Sequence, residues 1–98
     1  MEKQTPHVAL REIRELVRSG HVEATWSALK GAAALGLGFD DMLETLERLQ
    51  PKDFHKSMTA HSDHRAWQDV YRPDSPFGGL YVKLMVPNEL LIVSFKER

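Results

Sequence analysis

Cysteine is absent from this 98-residue chain, which excludes disulfides, thiolate catalysis and cysteine-held zinc or iron–sulfur centres. Long apolar runs are absent too; nothing approaches the roughly 18 consecutive apolar residues that a membrane span requires. Neither sign of charge dominates, since 13 Lys/Arg face 14 Asp/Glu for a formal net charge of −1. The basic excess usual in nucleic-acid binders is therefore missing, and any RNA-binding reading has to rest on local placement. The opening Met1-Glu2-Lys3-Gln4-Thr5-Pro6 leads into a charged stretch rather than an apolar one, which argues against a secretory signal and makes the cytoplasm the expected compartment. What is present is one domain's worth of chain, so residues 1–98 are expected to form a single domain with its active site on the surface or edge of the fold.

The first half carries helical periodicity. Thr5 with Pro6 reads as a helix start, followed by Leu10, Ile13, Leu16 and Val17 on one face and a stop at Gly20. Residues 21–24 form a connector with room for a brief extended segment. Thr25 is predicted to cap a second, alanine-rich helix ending at Gly36, and Asp40 a third, with Met42, Leu43, Leu46 and Leu49 as its apolar stripe. Glu44 and Arg48 are spaced as an i,i+4 ion pair, and Pro51 ends the helical half.

The period then changes to two. Strands are predicted over 53–59, 67–72, 79–86 and 89–96, with turn formers at Arg72–Gly79 and a tight turn at Pro87-Asn88. Helices followed by strands indicate an α+β fold: three N-terminal helices packed on one face of a mainly antiparallel sheet of about four strands. In the third strand Leu80, Val82, Leu84 and Val86 alternate with Tyr81, Lys83 and Met85, so the second set faces away from the helices. In the last strand Leu91, Val93 and Phe95 alternate with Leu90, Ile92, Ser94 and Lys96, and both sets begin apolar. Periodicity leaves open which side of the first two strands is buried.

The segments Met1-Glu2-Lys3, Phe54-His55-Lys56-Ser57-Met58-Thr59, Ser62-Asp63-His64, Trp67-Gln68-Asp69-Val70-Tyr71-Arg72-Pro73 and Leu91-Ile92-Val93-Ser94-Phe95-Lys96-Glu97 together resemble the motility quorum-sensing regulator (MqsR) family of toxins, over essentially the whole chain. That resemblance implies a RelE-like ribonuclease toxin fold and metal-free cleavage of messenger RNA at short GC-containing sites. It also implies neutralisation by an MqsA-type antitoxin with a zinc-binding N-terminal domain and a helix-turn-helix domain. Residue by residue, the family's catalytic positions match Lys56, Gln68, Tyr81 and Lys96.

Such cleavage uses the ribose 2′-hydroxyl as nucleophile. Lysines suit stabilisation of the developing phosphorane charge, tyrosine could exchange a proton, and glutamine could only hydrogen-bond a phosphate or base. Lys and Tyr ordinarily ionise near pH 10, so base and acid stay unassigned between them. Met58, His64 and Arg72 are candidate RNA contacts, Met58 as an apolar surface, His64 as a proton-transfer group and Arg72 at phosphate. Each has a bland alternative: an edge lysine, a surface amide, a packing tyrosine or a loop histidine. Trp67 reads as core. Two other function classes compete: a non-catalytic RNA- or protein-binding module using the same face, and a metal-dependent phosphohydrolase built on His55, His61, Asp63 and His64, whose spacing fits no helical zinc pattern. No direct DNA contact is expected.

Overall fold

The computed structural model describes residues Met1–Arg98. Three helices, α1 (Leu10–Arg18), α2 (Trp26–Ala34) and α3 (Phe39–Glu47), pack against a seven-stranded sheet. Its strands are β1 (Glu2–Lys3), β2 (Val22–Ala24), β3 (Phe54–Ala60), β4 (Asp63–Tyr71), β5 (Asp74–Ser75), β6 (Gly78–Met85) and β7 (Leu90–Glu97), in the order β1-β3-β4-β6-β7-β2 with β5 pairing β6. The four long strands are the expected ones; β1, β2 and β5 are short additions of two or three residues. Every pairing is antiparallel except β2 with β7. No helix is long and apolar enough to cross a membrane.

Helix boundaries follow capping chemistry. Thr25 caps α2 as predicted, its side-chain oxygen accepting from the Ala28 N–H at 3.0 Å. Two expected caps are displaced. Helix α1 starts after Ala9 rather than at Thr5, because the His7 and Val8 N–H groups donate to the Asp69 carboxylate and hold residues 7–8 out of the helix. Helix α3 starts after Gly38 rather than Asp40, with the Asp41 carboxylate reaching back to the Gly38 N–H at 2.8 Å. Arg14 crosses from α1 to donate to the Leu49 carbonyl at 2.5 Å, satisfying a main-chain acceptor just beyond the end of α3.

The core lies between helices and sheet. Ile13, Ala28, Ala32, Met42, Leu46 and Leu49 meet Tyr71, Leu80, Val82, Leu84, Leu90, Ile92 and Phe95. Helix α2 comes closest to β7: a Cβ at Gly31 would collide with the Phe95 carbonyl oxygen. Small residues at 28, 31 and 32 allow that approach, and the apolar area buried there drives it. With the helices on one side, the other side of the sheet faces solvent.

Candidate active face

Register assigns each side chain to a face, because directly opposed residues point the same way. Lys56 and Lys83 both lie opposite Val70, and Lys83 lies opposite Ser94. On one side of this row Tyr81 faces Lys96. On the other, Glu2 faces Met58 and Met58 faces Gln68, whose amide donates to the Met85 sulfur at 3.7 Å. All of these point away from the helices, since Leu80, Val82 and Leu84 alternate with Tyr81, Lys83 and Met85 and are buried. Val70 is fully buried although it sits on this open face. Lys56 and Lys83, opposed to it on the two neighbouring strands, have aliphatic stems long enough to cover it.

Lys96 reaches this face through a bulge. Strict alternation along β7 puts Lys96 on the side of Leu90 and Ile92, which is the core side. The register, however, runs Lys83↔Ser94 and then Leu84↔Ile92, leaving Val93 as an extra residue. Phe95 thereby joins Ile92 in the core, and Ser94 and Lys96 turn outward. Thr25 holds the bulge in place: its N–H donates to the Ile92 carbonyl at 3.0 Å and its hydroxyl to the Val93 carbonyl at 2.8 Å.

Electrostatics concentrate around Tyr81 and Lys56. The Lys96 ammonium lies 5.1 Å from the Tyr81 ring centroid and that of Lys83 6.0 Å away. Lys56 Nζ contacts Glu2 Oε1 at 2.5 Å. That charge-assisted hydrogen bond holds the Glu2 carboxyl below the usual glutamate range and the Lys56 ammonium above the usual lysine range. Lys56 is thus a fixed cation rather than a base. The structure therefore brings Lys56, Gln68, Tyr81, Lys96 and Met58 onto one surface. It adds Lys83, whose outward orientation was legible in the alternation, and Glu2, which belongs to the family-like Met1-Glu2-Lys3 segment but for which the sequence indicated no role.

Two expected RNA contacts lie apart. His64 is not in a loop; it is an exposed residue near the start of β4, four residues from Gln68, on the order of 13 Å along a strand. Arg72 is exposed just past the end of β4, its N–H donating to the Asp53 carbonyl at 2.7 Å. Trp67 is outside the core cluster, half-buried against the N-terminal segment, with the Lys3 ammonium 4.2 Å from its ring and His7 stacked on it. No three His, Asp or Glu side chains converge into a possible metal-ligand group, so His55, His61, Asp63 and His64 do not form the cluster their spacing invited.

Residues 5–97 match the family described as "Motility quorum-sensing regulator, toxin of MqsA". The chain is also 51% identical over 98 residues, covering both chains completely, to a protein of Escherichia coli (strain K12) named "mRNA interferase toxin MqsR".

Proposed function

The chain belongs to the motility quorum-sensing regulator toxin family, and from that premise we propose that it is an endoribonuclease toxin that cleaves messenger RNA and is restrained by a dedicated antitoxin. The observation that carries this reading is the solvent-facing sheet surface on which three lysines, a tyrosine and an amide surround Val70. A substrate larger than the enzyme needs an open surface rather than a pocket, and a strand of RNA can lie across this one.

In the proposed reaction the ribose 2′-oxygen attacks the adjacent phosphorus and the 5′-oxygen leaves. Lys56 and Lys96 stabilise the negative charge that accumulates on the phosphorane, as preorganised cations in the place where charge develops. Gln68 hydrogen-bonds a phosphate oxygen or a base edge. Tyr81, with the Lys96 and Lys83 ammonium groups 5.1 and 6.0 Å from its ring centroid, exchanges a proton with the reacting oxygens. Met58 offers an apolar contact to a base, and His64 and Arg72 extend the RNA path beyond the central face. The chemistry asks for no metal ion, cleavage falls at short GC-containing sites, and the enzyme acts in the cytoplasm, where messenger RNA is. The restraining partner is of the MqsA type, with a zinc-binding N-terminal domain and a helix-turn-helix domain. Residues 1–98 carry the whole activity as one domain.

Cleavage of a defined GC-containing RNA by the purified chain, with and without excess EDTA, tests the reading. Cutting should persist with the chelator; loss of cutting that zinc or manganese restores would replace it with metal-dependent hydrolysis. Production of the chain alone should arrest growth and co-production of its antitoxin should relieve the arrest. An RNA that is bound but never cut would leave a non-catalytic binding module.

A further inference from the structure

Metal-free cleavage through the 2′-hydroxyl needs a group that can take a proton near neutral pH. His64 lies four residues along β4 from Gln68, roughly 13 Å away, and the lysines, tyrosine and amide of the central face do not supply one. Lys56 is held as an ammonium by its partner. The other lysines and the tyrosine belong to residue types that ordinarily ionise near pH 10. A carboxylate is nevertheless present at the β1 edge of the cationic face, in contact with one of its lysines. Glu2 comes from the far N-terminal end of the chain, is opposed to Met58 in the β1–β3 pair, and contacts Lys56 Nζ at 2.5 Å.

Its position is fixed from both sides. The Thr59 N–H donates to the Met1 carbonyl at 3.0 Å. Downstream, the His7 and Val8 N–H groups donate to the buried Asp69 carboxylate, which also accepts the Ser57 hydroxyl at 2.6 Å. The side chain itself is half exposed, so substrate can reach it. Glu23 shares this face through its register with Leu91, but it lies on β2 at the opposite edge of the sheet.

Resting on the RNase reading above, we propose that Glu2 is the general base of the reaction, released for that task when a substrate phosphate takes its place on Lys56. An entering phosphodiester competes for the same ammonium, since both are anions seeking one cation. Once Lys56 pairs with phosphate, Glu2 loses the contact that lowered its basicity and lies beside the nucleotide being cut. One Glu2 oxygen takes the proton of the 2′-hydroxyl, and the 2′-oxygen forms its bond to phosphorus. The P–O5′ bond breaks, and the 5′-oxygen receives a proton from an acid on the Tyr81–Lys96 side. The products are a 2′,3′-cyclic phosphate and a 5′-hydroxyl, and Glu2 returns its proton to water.

The test is single-turnover cleavage of a GC-containing oligoribonucleotide by the full chain, with RNA affinity measured in parallel on a 2′-O-methyl analogue. Glu2→Gln should slow the saturated rate by roughly a hundredfold to ten-thousandfold, the usual contribution of general acid–base catalysis. Affinity should stay within about threefold or tighten. The wild-type rate should rise with pH on its acid limb as one group loses a proton, and Glu2→Gln should lack that limb. The charged groups facing Glu2 are Lys56, His55 and the Met1 amino group, with Tyr81 beyond Lys56. Because exposed His55 is the competing source of such a limb, His55→Ala should keep both rate and limb. Formate should restore cleavage at least tenfold in Glu2→Ala, which a merely structural role would not allow. Glu2→Gln cutting within threefold of wild type overturns the proposal, as does a loss of affinity that accounts for the whole loss of rate, or Glu2→Ala indifferent to formate. A wild-type chain that leaves the RNA intact overturns the RNase reading as well, whereas cutting that survives Glu2→Gln overturns only the role of Glu2.

Discussion

Tyr81 and Tyr71 are the chain's two tyrosines, ten residues apart and facing opposite sides of the sheet. Tyr81 sits on the open face, so Tyr81→Phe removes an oxygen without disturbing the core. Cleavage should fall about a hundredfold to a thousandfold if that oxygen stabilises or protonates a reacting group, while the melting temperature stays unchanged; wild-type cutting by the variant would exclude the tyrosine from the chemistry. Tyr71 is fully buried and its hydroxyl has no hydrogen-bond partner. Burial pushes its ionisation up to about 12. A folded-state value raised above the ordinary one of about 10 means that this stabilising contribution is complete below pH 10 and is lost as pH rises towards 12. Urea midpoints should therefore drop between pH 10 and 12 in the wild type and drop less in Tyr71→Phe. At pH 7 Tyr71→Phe should be as stable as wild type or more so, since it removes an unpaired buried polar group.

At the level of elements, the β7 bulge and helix α2 act together. Thr25 caps the helix and bonds the bulged carbonyls, and Gly31 lets the helix lie against β7 next to Lys96. Gly31→Ala sets two effects against each other. Alanine favours a helix over glycine by about 1 kcal/mol, whereas forcing a methyl group into the Phe95 carbonyl costs about 1–3 kcal/mol. The collision involves backbone, which cannot swing aside, so packing should win. Thermal unfolding should show a melting temperature lowered by several degrees, and an unchanged or higher value would mean that α2 can back away from β7. Because Lys96 is adjacent, the variant should also lose cleavage activity beyond its loss of stability.

Across the whole molecule a net charge of −1 conceals a division. Lys56, Lys83 and Lys96 share the open face, while a hollow between α3 and the β5 turn is lined by Asp41, Glu44, Asp53 and Asp74, with Arg48 paired to Glu44 at 2.7 Å and Arg98 to Asp74 at 2.9 Å. RNA should therefore bind only on the cationic side. With about three lysines engaging phosphates, the affinity for single-stranded RNA should fall roughly ten- to twentyfold between 50 and 200 mM salt. Fluorescence anisotropy with a 2′-O-methyl RNA would measure this; a salt-independent affinity would mean that phosphate contacts on the lysine face do not hold the substrate.

What the sequence determined by itself is what local periodicity and capping record. Helix-period stripes and alternating strands are sufficient for an α+β fold with helices on one side, and alternation alone turned Tyr81 and Lys83 outward. Family likeness picked out Lys56, Gln68 and Lys96, but nothing in their neighbourhoods fixed the side on which they lie. The tertiary structure decided three things that strand alternation could not. Asp69 binds residues 7–8 and so delays α1, a contact across more than sixty residues. The bulge at Val93 sends Lys96 to the open face, because one extra residue inverts every side chain after it and leaves no mark in composition. Pairing of β1 with β3 brings Glu2 to Lys56, a meeting of residues 54 positions apart that chain connectivity does not favour and only the completed sheet makes.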